Sequence, residues 1–121
     1  MEEISEMTYT HQQIEAAALF SLSGSLLGET ERVSLKNEFD AYLDKGVNHF
    51  IIDLTNLQLI NSNGLGVFIT LYTKVRNKRG EMVLCNPSQN ISTLLAITKL
   101  NSVFTVAASV EEGLKLLNKP Q

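Results

Sequence analysis

Few residues in this sequence have the types and spacing that chemistry requires, and one short segment concentrates them. Asn61-Ser62-Asn63-Gly64-Leu65-Gly66 sets a hydroxyl between two side-chain amides. Directly behind it, Leu65, Phe68, Ile69, Tyr72 and Val75 form an apolar stripe at helical spacing. Serine and asparagine cap helix starts because their side chains accept hydrogen bonds from the unpaired amides of the first turn. Those amides, with the helix dipole, also favour negative charge. A phosphate on Ser62 would bring about −1.5 to −2 charges and three acceptor oxygens to a place already suited to an anion. Gly64 and Gly66 leave the approach to the hydroxyl uncluttered. The residues alone support two readings of Ser62, a plain N-cap or a phosphoacceptor on a docking surface switched by charge.

Other chemistry is sparse. No glycine-rich segment ends in Gly-Lys-Ser/Thr, and Gly64-Leu65-Gly66 lacks the third glycine of a dinucleotide fingerprint. Asp53 ends an apolar run, as catalytic carboxylates often do, yet no acid, His or Lys lies near it in sequence to complete a site. It reads as a hydrogen-bonded or solvated strand-end residue. The single cysteine, Cys85, excludes an intrachain disulfide and a multi-cysteine metal centre, and in Met82-Val83-Leu84-Cys85 it reads as a small buried hydrophobe. Two histidines, His11 and His49, are too few for a metal cluster or a rich acid–base site. Lys74, Arg76, Lys78 and Arg79 fall in the last turns of a helix, where positive charge complements the dipole. Ten basic against thirteen acidic residues give a net charge of −3, which argues against a nucleic-acid binder. No apolar run reaches the roughly 18 residues of a membrane helix, and Met1-Glu2-Glu3 is acidic where a signal peptide is basic. The expectation is a cytoplasmic protein that is not an enzyme, with no metal or cofactor and no nucleic-acid or membrane partner.

The elements that must position Ser62 can be read along 121 residues that show no repeat or linker, so residues 1–121 are expected to form one domain. Strand formers from Ile4 to Thr10, a polar break at His11-Gln12-Gln13 and clean alternation from Ile14 to Leu22 predict an opening strand pair. Gly24 and Gly28 bracket a loop, with Thr30 as N-cap of a helix whose stripe is Leu35, Phe39, Tyr42 and Leu43. Lys45 and Gly46 supply its stop. Phe50-Ile51-Ile52-Asp53-Leu54 and Met82-Val83-Leu84-Cys85 lack alternation, the pattern of strands covered on both faces in a parallel sheet. Ser88 caps a helix with Ile91, Leu94, Leu95 and Thr98 inward, and Val103 to Val106 form a last strand. Ser109 and Glu112 form a capping box for a C-terminal helix with Val110, Leu114 and Leu117 inward. The predicted order is β-β-α-β-α-β-α-β-α, a mixed, mostly parallel α/β sheet of about five strands with about four helices.

Three segments together carry a family resemblance: Ile51-Ile52-Asp53-Leu54, Leu59 to Gly66, and Gly80 to Cys85. With Leu22-Ser23-Gly24-Ser25-Leu26 before them and Leu94-Leu95, Thr98, Leu100 and Val103-Phe104 after them, the chain closely resembles the STAS domain family, and within it the anti-sigma factor antagonists. The resemblance implies a regulator without catalysis of its own. Such a protein binds an anti-sigma factor that is also a serine kinase, is released when that kinase phosphorylates it, and is reset by a serine phosphatase. The phosphoacceptor implied is Ser62, and the partner-binding residues implied are Leu26, Leu27, Asn61, Ser62, Asn63, Gly64 and Leu65. Asn61 stands where the family usually has Asp, Asn63 where a second hydroxyl is common, and Leu27 where many relatives carry an acid. Two alternatives stand beside this reading. One is a constitutive STAS adaptor in which Ser62 is only a helix cap, and the other is a nucleotide-binding domain.

Overall fold

Strands and helices alternate along the chain as β1 (Thr8–Ile14), β2 (Ala17–Leu26), α1 (Glu29–Asp44), β3 (His49–Ile60) and α2 (Ser62–Asn77). They continue as β4 (Glu81–Cys85), α3 (Gln89–Ile97), a 3₁₀ turn at Leu100–Ser102, β5 (Thr105–Ala107) and α4 (Val110–Leu117). The structure is a computed structural model and describes residues 7–26 and 29–118. The strands lie side by side in chain order, β1 antiparallel to β2 and the remaining pairs parallel. This is the five-stranded, mostly parallel sheet with four helices that the sequence predicts.

Right-handed crossovers in a sheet ordered this way keep α1, α2 and α3 on one face. Their apolar side chains, among them Leu35, Phe39, Phe68, Leu71, Ile91 and Leu95, share a core with Phe20, Phe50, Ile52 and Leu84 of the sheet. Aromatic rings fill its centre, Phe39 stacking on Phe50 at 4.3 Å and meeting Phe20 at 4.6 Å. Buried aromatic pairs of this kind add about 0.5–1.5 kcal/mol each beyond the area they bury. The α4 helix covers the opposite face, where Val110, Leu114 and Leu117 pack on Ile51, Val83 and Cys85.

The capping signals in the sequence are largely borne out. Ser88 Oγ accepts from the Ile91 amide and Ser109 Oγ from the Glu112 amide. Gly46 ends α1 in the left-handed conformation (φ +89°), with the Val47 amide bonded back to the Tyr42 carbonyl. Four boundaries differ from the prediction. His11-Gln12-Gln13 lie inside β1, and the turn is Glu15-Ala16, where Glu15 takes φ +56°. Ile14 therefore belongs to β1 and packs with the α4-side core, not beside Phe20. The α1 helix begins at Glu29, which places Thr30 inside it rather than at the N-cap, while Gly24 is still in β2. The last strand is Thr105–Ala107, since Val103 follows the 3₁₀ turn that the sequence reading lacks.

The largest difference lies in β3, which runs on past Asp53 for seven more residues to Ile60. β4 stops pairing at Asp53↔Cys85, so the extension is held by β2 alone. Two register shifts, one between Ser21 and Ser23 and one between Gly24 and Ser25, each insert an extra residue in β3. Bulges of this kind bend and twist a strand, and here they re-aim its end just before Asn61.

Candidate functional site

The overhanging end of β3 delivers Asn61 in an extended conformation (φ −103°, ψ −177°), and the helix starts at the next residue. Asn61 Oδ1 accepts a hydrogen bond from the Gly64 amide at 2.8 Å, and its carbonyl accepts one from the Leu65 amide at 3.0 Å. Asn61, not Ser62, is therefore the N-cap. Ser62 occupies the first helical position with its side chain exposed, and its hydroxyl has no hydrogen-bond partner among the described residues. Asn63 is exposed beside it. The first turn of α2 carries no acidic side chain, whereas its last turn carries Lys74 and Arg76. The dipole at Ser62 is thus unopposed by any local carboxylate on the helix.

Below this exposed pair the loop is anchored. Gly64 is buried, and Leu65 is 6% exposed and packs into the main core. The Leu65 side chain consequently faces inward and fixes the helix start. Leu26 ends β2 paired with Ile60, which brings the end of β2 beside the residue preceding Asn61. Leu27 lies outside the described residues. The structure thus gathers Asn61, Ser62 and Asn63 on one exposed rim, with Gly64 and Leu65 as its footing.

Two apolar residues near this rim escaped the sequence reading. Leu59 is 45% exposed at the end of β3, and Ile69 is 43% exposed on α2, where the predicted stripe had placed it inside. Val67 and Leu71 are buried in its stead. The usable signal was phase. Val67, Leu71 and Val75 lie four residues apart, a row that turns Ile69 away from the sheet.

The remaining candidates serve the fold. Asp53 Oδ1 accepts from the Thr55 amide at 3.1 Å and from the Thr55 hydroxyl at 2.6 Å, and Asn86 Nδ2 donates to that hydroxyl at 3.0 Å. This chain of bonds ties the ends of the central strands together at the first bulge. Cys85 is fully buried, and its thiol is pushed up to about 12 by burial, then by the nearby charges of Asp53 and Glu112. A thiol in that state is a poor nucleophile. Lys74 pairs with Asp40 at 2.9 Å and Arg76 with Glu81, so half of the basic cluster is neutralised. His11 sits on β1 with Nδ1 at 2.8 Å from the Tyr42 hydroxyl and its ring stacked on Phe20, whereas His49 opens β3, two strands away. Among the described residues no cluster of His, Cys, Asp or Glu could hold a metal ion, and no helix is long and apolar enough to cross a membrane.

Comparison with known proteins gives this geometry a family. The STAS domain pattern matches residues 8–113. BtrV of Bordetella bronchiseptica, a candidate anti-sigma factor antagonist, is 30% identical over 105 residues, spanning 87% of this chain and 90% of that protein. An anti-sigma F factor antagonist of Paenibacillus polymyxa is 29% identical over 85 residues, 70% of this chain and 73% of that protein. Among solved structures, the anti-sigma factor antagonist SpoIIAA in its unphosphorylated form matches with a TM-score of 0.80 at 15% identity, covering 94% of this chain and 100% of that one. At that identity the likeness is one of fold.

Proposed function

The chain belongs to the STAS domain family, among the anti-sigma factor antagonists, and from that premise we propose that it is a partner-switching regulator acting through Ser62. In this reading the unmodified protein binds an anti-sigma factor that is also a serine kinase, using the exposed rim of Asn61, Ser62 and Asn63. The end of β2 at Leu26, paired with Ile60, would border the same contact, with Gly64 and Leu65 holding the rim in place, and Leu27 is retained as a partner-binding residue on the family resemblance alone. Phosphorylation of Ser62 releases the partner, and a serine phosphatase restores the binding form. The protein performs no catalysis of its own and works in the cytoplasm as one domain.

One observation carries the proposal: the Ser62 hydroxyl is exposed and unbonded at the first turn of α2 because Asn61 already does the capping. A kinase can reach this oxygen without unfolding anything. The phosphate formed there would meet the amides of Ser62 and Asn63, which the cap leaves unused. The cap bond is made by the neighbouring Asn61, so capping does not account for Ser62, while a constitutive adaptor role would show as partner binding with no phosphate added.

The test is phosphotransfer with the partner kinase. Incubation with that kinase and ATP should add one phosphate, seen by intact mass, and peptide mapping should place it on Ser62. The Ser62→Ala protein should stay unmodified yet still bind the partner. Phosphate found elsewhere, or none at all while partner binding persists, overturns the switch.

A further inference from the structure

We propose that a hollow at the far end of β3 from Ser62 binds a small organic carboxylate with an apolar body. His49 opens β3 and Ser62 lies two residues beyond its last residue, Ile60, so the two places stand roughly 35 Å apart, the length of the strand. The hollow measures about 710 Å³, within the range of small-molecule sites.

Its chemistry divides into a charged side and an apolar side. Leu116 and Leu117 at the end of α4, with Val83 of β4, form the apolar side. On the charged side Arg76 is bonded to Glu81, and that pair cancels. Arg79 is then the surplus cation. Among the described residues its guanidinium, the His49 imidazole and the Thr105 hydroxyl make no side-chain hydrogen bond or ion pair, and all three line the hollow. A guanidinium presents a planar fork that matches a carboxylate in two parallel bonds, and one surplus charge suits one anion.

The backbone fixes where that fork is held. Arg79 takes φ +59°, a left-handed conformation disfavoured for any residue with a Cβ and usual for glycine at a helix end. A glycine does follow, but at position 80, where a Cβ would collide with the Asn48 carbonyl. The turn is pinned by the bonds Arg79 N to Arg76 O and Gly80 N to Val75 O, both 2.9 Å, and by Asn48 Nδ2 to Lys78 O at 3.0 Å. A cationic side chain thus sits on a rigid, strained turn lining a hollow in which the His49 and Thr105 side chains make no hydrogen bond among the described residues. Strain retained in this way points to a use for the side chain.

The experiment titrates the full chain with sodium hexanoate and follows backbone amide resonances. Saturable shifts are expected at His49, Arg79, Val83 and Thr105, with none at Ser62. The Arg79→Gly protein should bind about tenfold or more weakly, the loss expected for a charged hydrogen-bonded contact. Its unfolding midpoint should hold or rise, because glycine accepts the left-handed turn, so weaker binding cannot be ascribed to misfolding. Equal shifts from neutral hexanol, unchanged affinity in Arg79→Gly, or saturation of the same amides by inorganic phosphate at equal strength would each overturn the assignment. None of these outcomes bears on phosphorylation of Ser62, so the two proposals stand or fall separately.

Discussion

Replacing Ser62 with aspartate should strengthen the fold while abolishing partner binding, a combination that a merely damaging substitution cannot produce. Ser62 is the first residue of α2, and no acidic side chain occupies that first turn. A carboxylate placed there meets the free amides and the positive end of the dipole, an interaction worth about 0.3–1 kcal/mol at low ionic strength. For a domain of this size about 1 kcal/mol moves the unfolding midpoint by roughly 3–5 °C, so the gain should be about 1–5 °C. The sign with pH follows from the same contact. The new carboxyl is favoured as an anion in the folded state, so its folded pKa lies below the unfolded value of about 3.9. The gain should be fully present above roughly pH 5 and should vanish as pH falls through the folded pKa. Thermal unfolding at low and high salt, at neutral and acid pH, measures it, and calorimetry with the partner kinase measures binding. A lowered midpoint at neutral pH, or a gain that survives when the carboxyl is neutral, refutes the electrostatic reasoning. Undiminished partner affinity refutes the switch.

The cap can be tested directly: Asn61→Ala removes the 2.8 Å bond to the Gly64 amide and should cost about 1 kcal/mol, lowering the midpoint by roughly 3–5 °C. Asn61→Asp should be stabilising alone, but combined with Ser62→Asp the gains should fall short of additive by about 0.7 kcal/mol. That is the repulsion of two charges roughly 6 Å apart in water, read from a double-mutant cycle. Gly113 packs α4 so closely on the sheet that a Cβ would stand 2.8 Å from Cys85 Sγ. Gly113→Ala should therefore cost about 1–3 kcal/mol in denaturant unfolding, and Cys85→Ala in the same chain should recover part of it. Because the Cys85 thiol is raised from 9.0 to about 12, it stays neutral in the folded state while the unfolded thiol ionises near 9. Stability should thus decline from about pH 9 upward and level off near 12; Cys85→Ala should remove the thiol's share and leave the part due to Tyr42, whose hydroxyl burial also pushes up, and native protein should resist thiol alkylation at neutral pH.

Where a structural role rests on one residue and its near neighbours, the sequence was enough. Ser88, Ser109 and Gly46 each announce a cap or stop by type, and the unalternating strands Phe50–Leu54 and Met82–Cys85 announce a covered sheet. What stayed hidden depends on pairing between distant segments. The extension of β3 over Thr55–Ile60 contains exposed Thr55, Asn56 and Gln58, and its two bulges break the period of two that marks a strand. It is a strand because β2 runs beside it. The turn at Glu15-Ala16 was obscured for a similar reason, since neither residue is a usual turn former and the polar His11-Gln12-Gln13 looked more like a break. At the site, three adjacent cap-forming residues made the segment conspicuous but could not say which one caps. Asn61 caps because it is the last residue of extended backbone (φ −103°, ψ −177°) before the helix begins at Ser62.

If Ser62 is the switch proposed above, the cap at Asn61 decides what kind of switch it is. With Asn61 engaging the amides of Gly64 and Leu65, and with Gly64 and Leu65 buried beneath, an anion on Ser62 displaces no packed side chain. The information it adds is therefore a change of charge and size on a rim that is otherwise neutral, in contrast to an ordering or melting of the chain. A partner complementary to the unmodified rim would have to bury that charge or give up contact around it. Leaving a charge unpaired in an interface costs about 2–5 kcal/mol, which is about 30-fold to several thousand-fold in affinity. The amides of Ser62 and Asn63 lower that penalty only where they can reach the phosphate, and they stabilise the free protein equally. On the proposed reading no conformational change is needed to reach a switching ratio of this size, and because the cap residue is the neutral Asn61 the whole contrast would come from the phosphate.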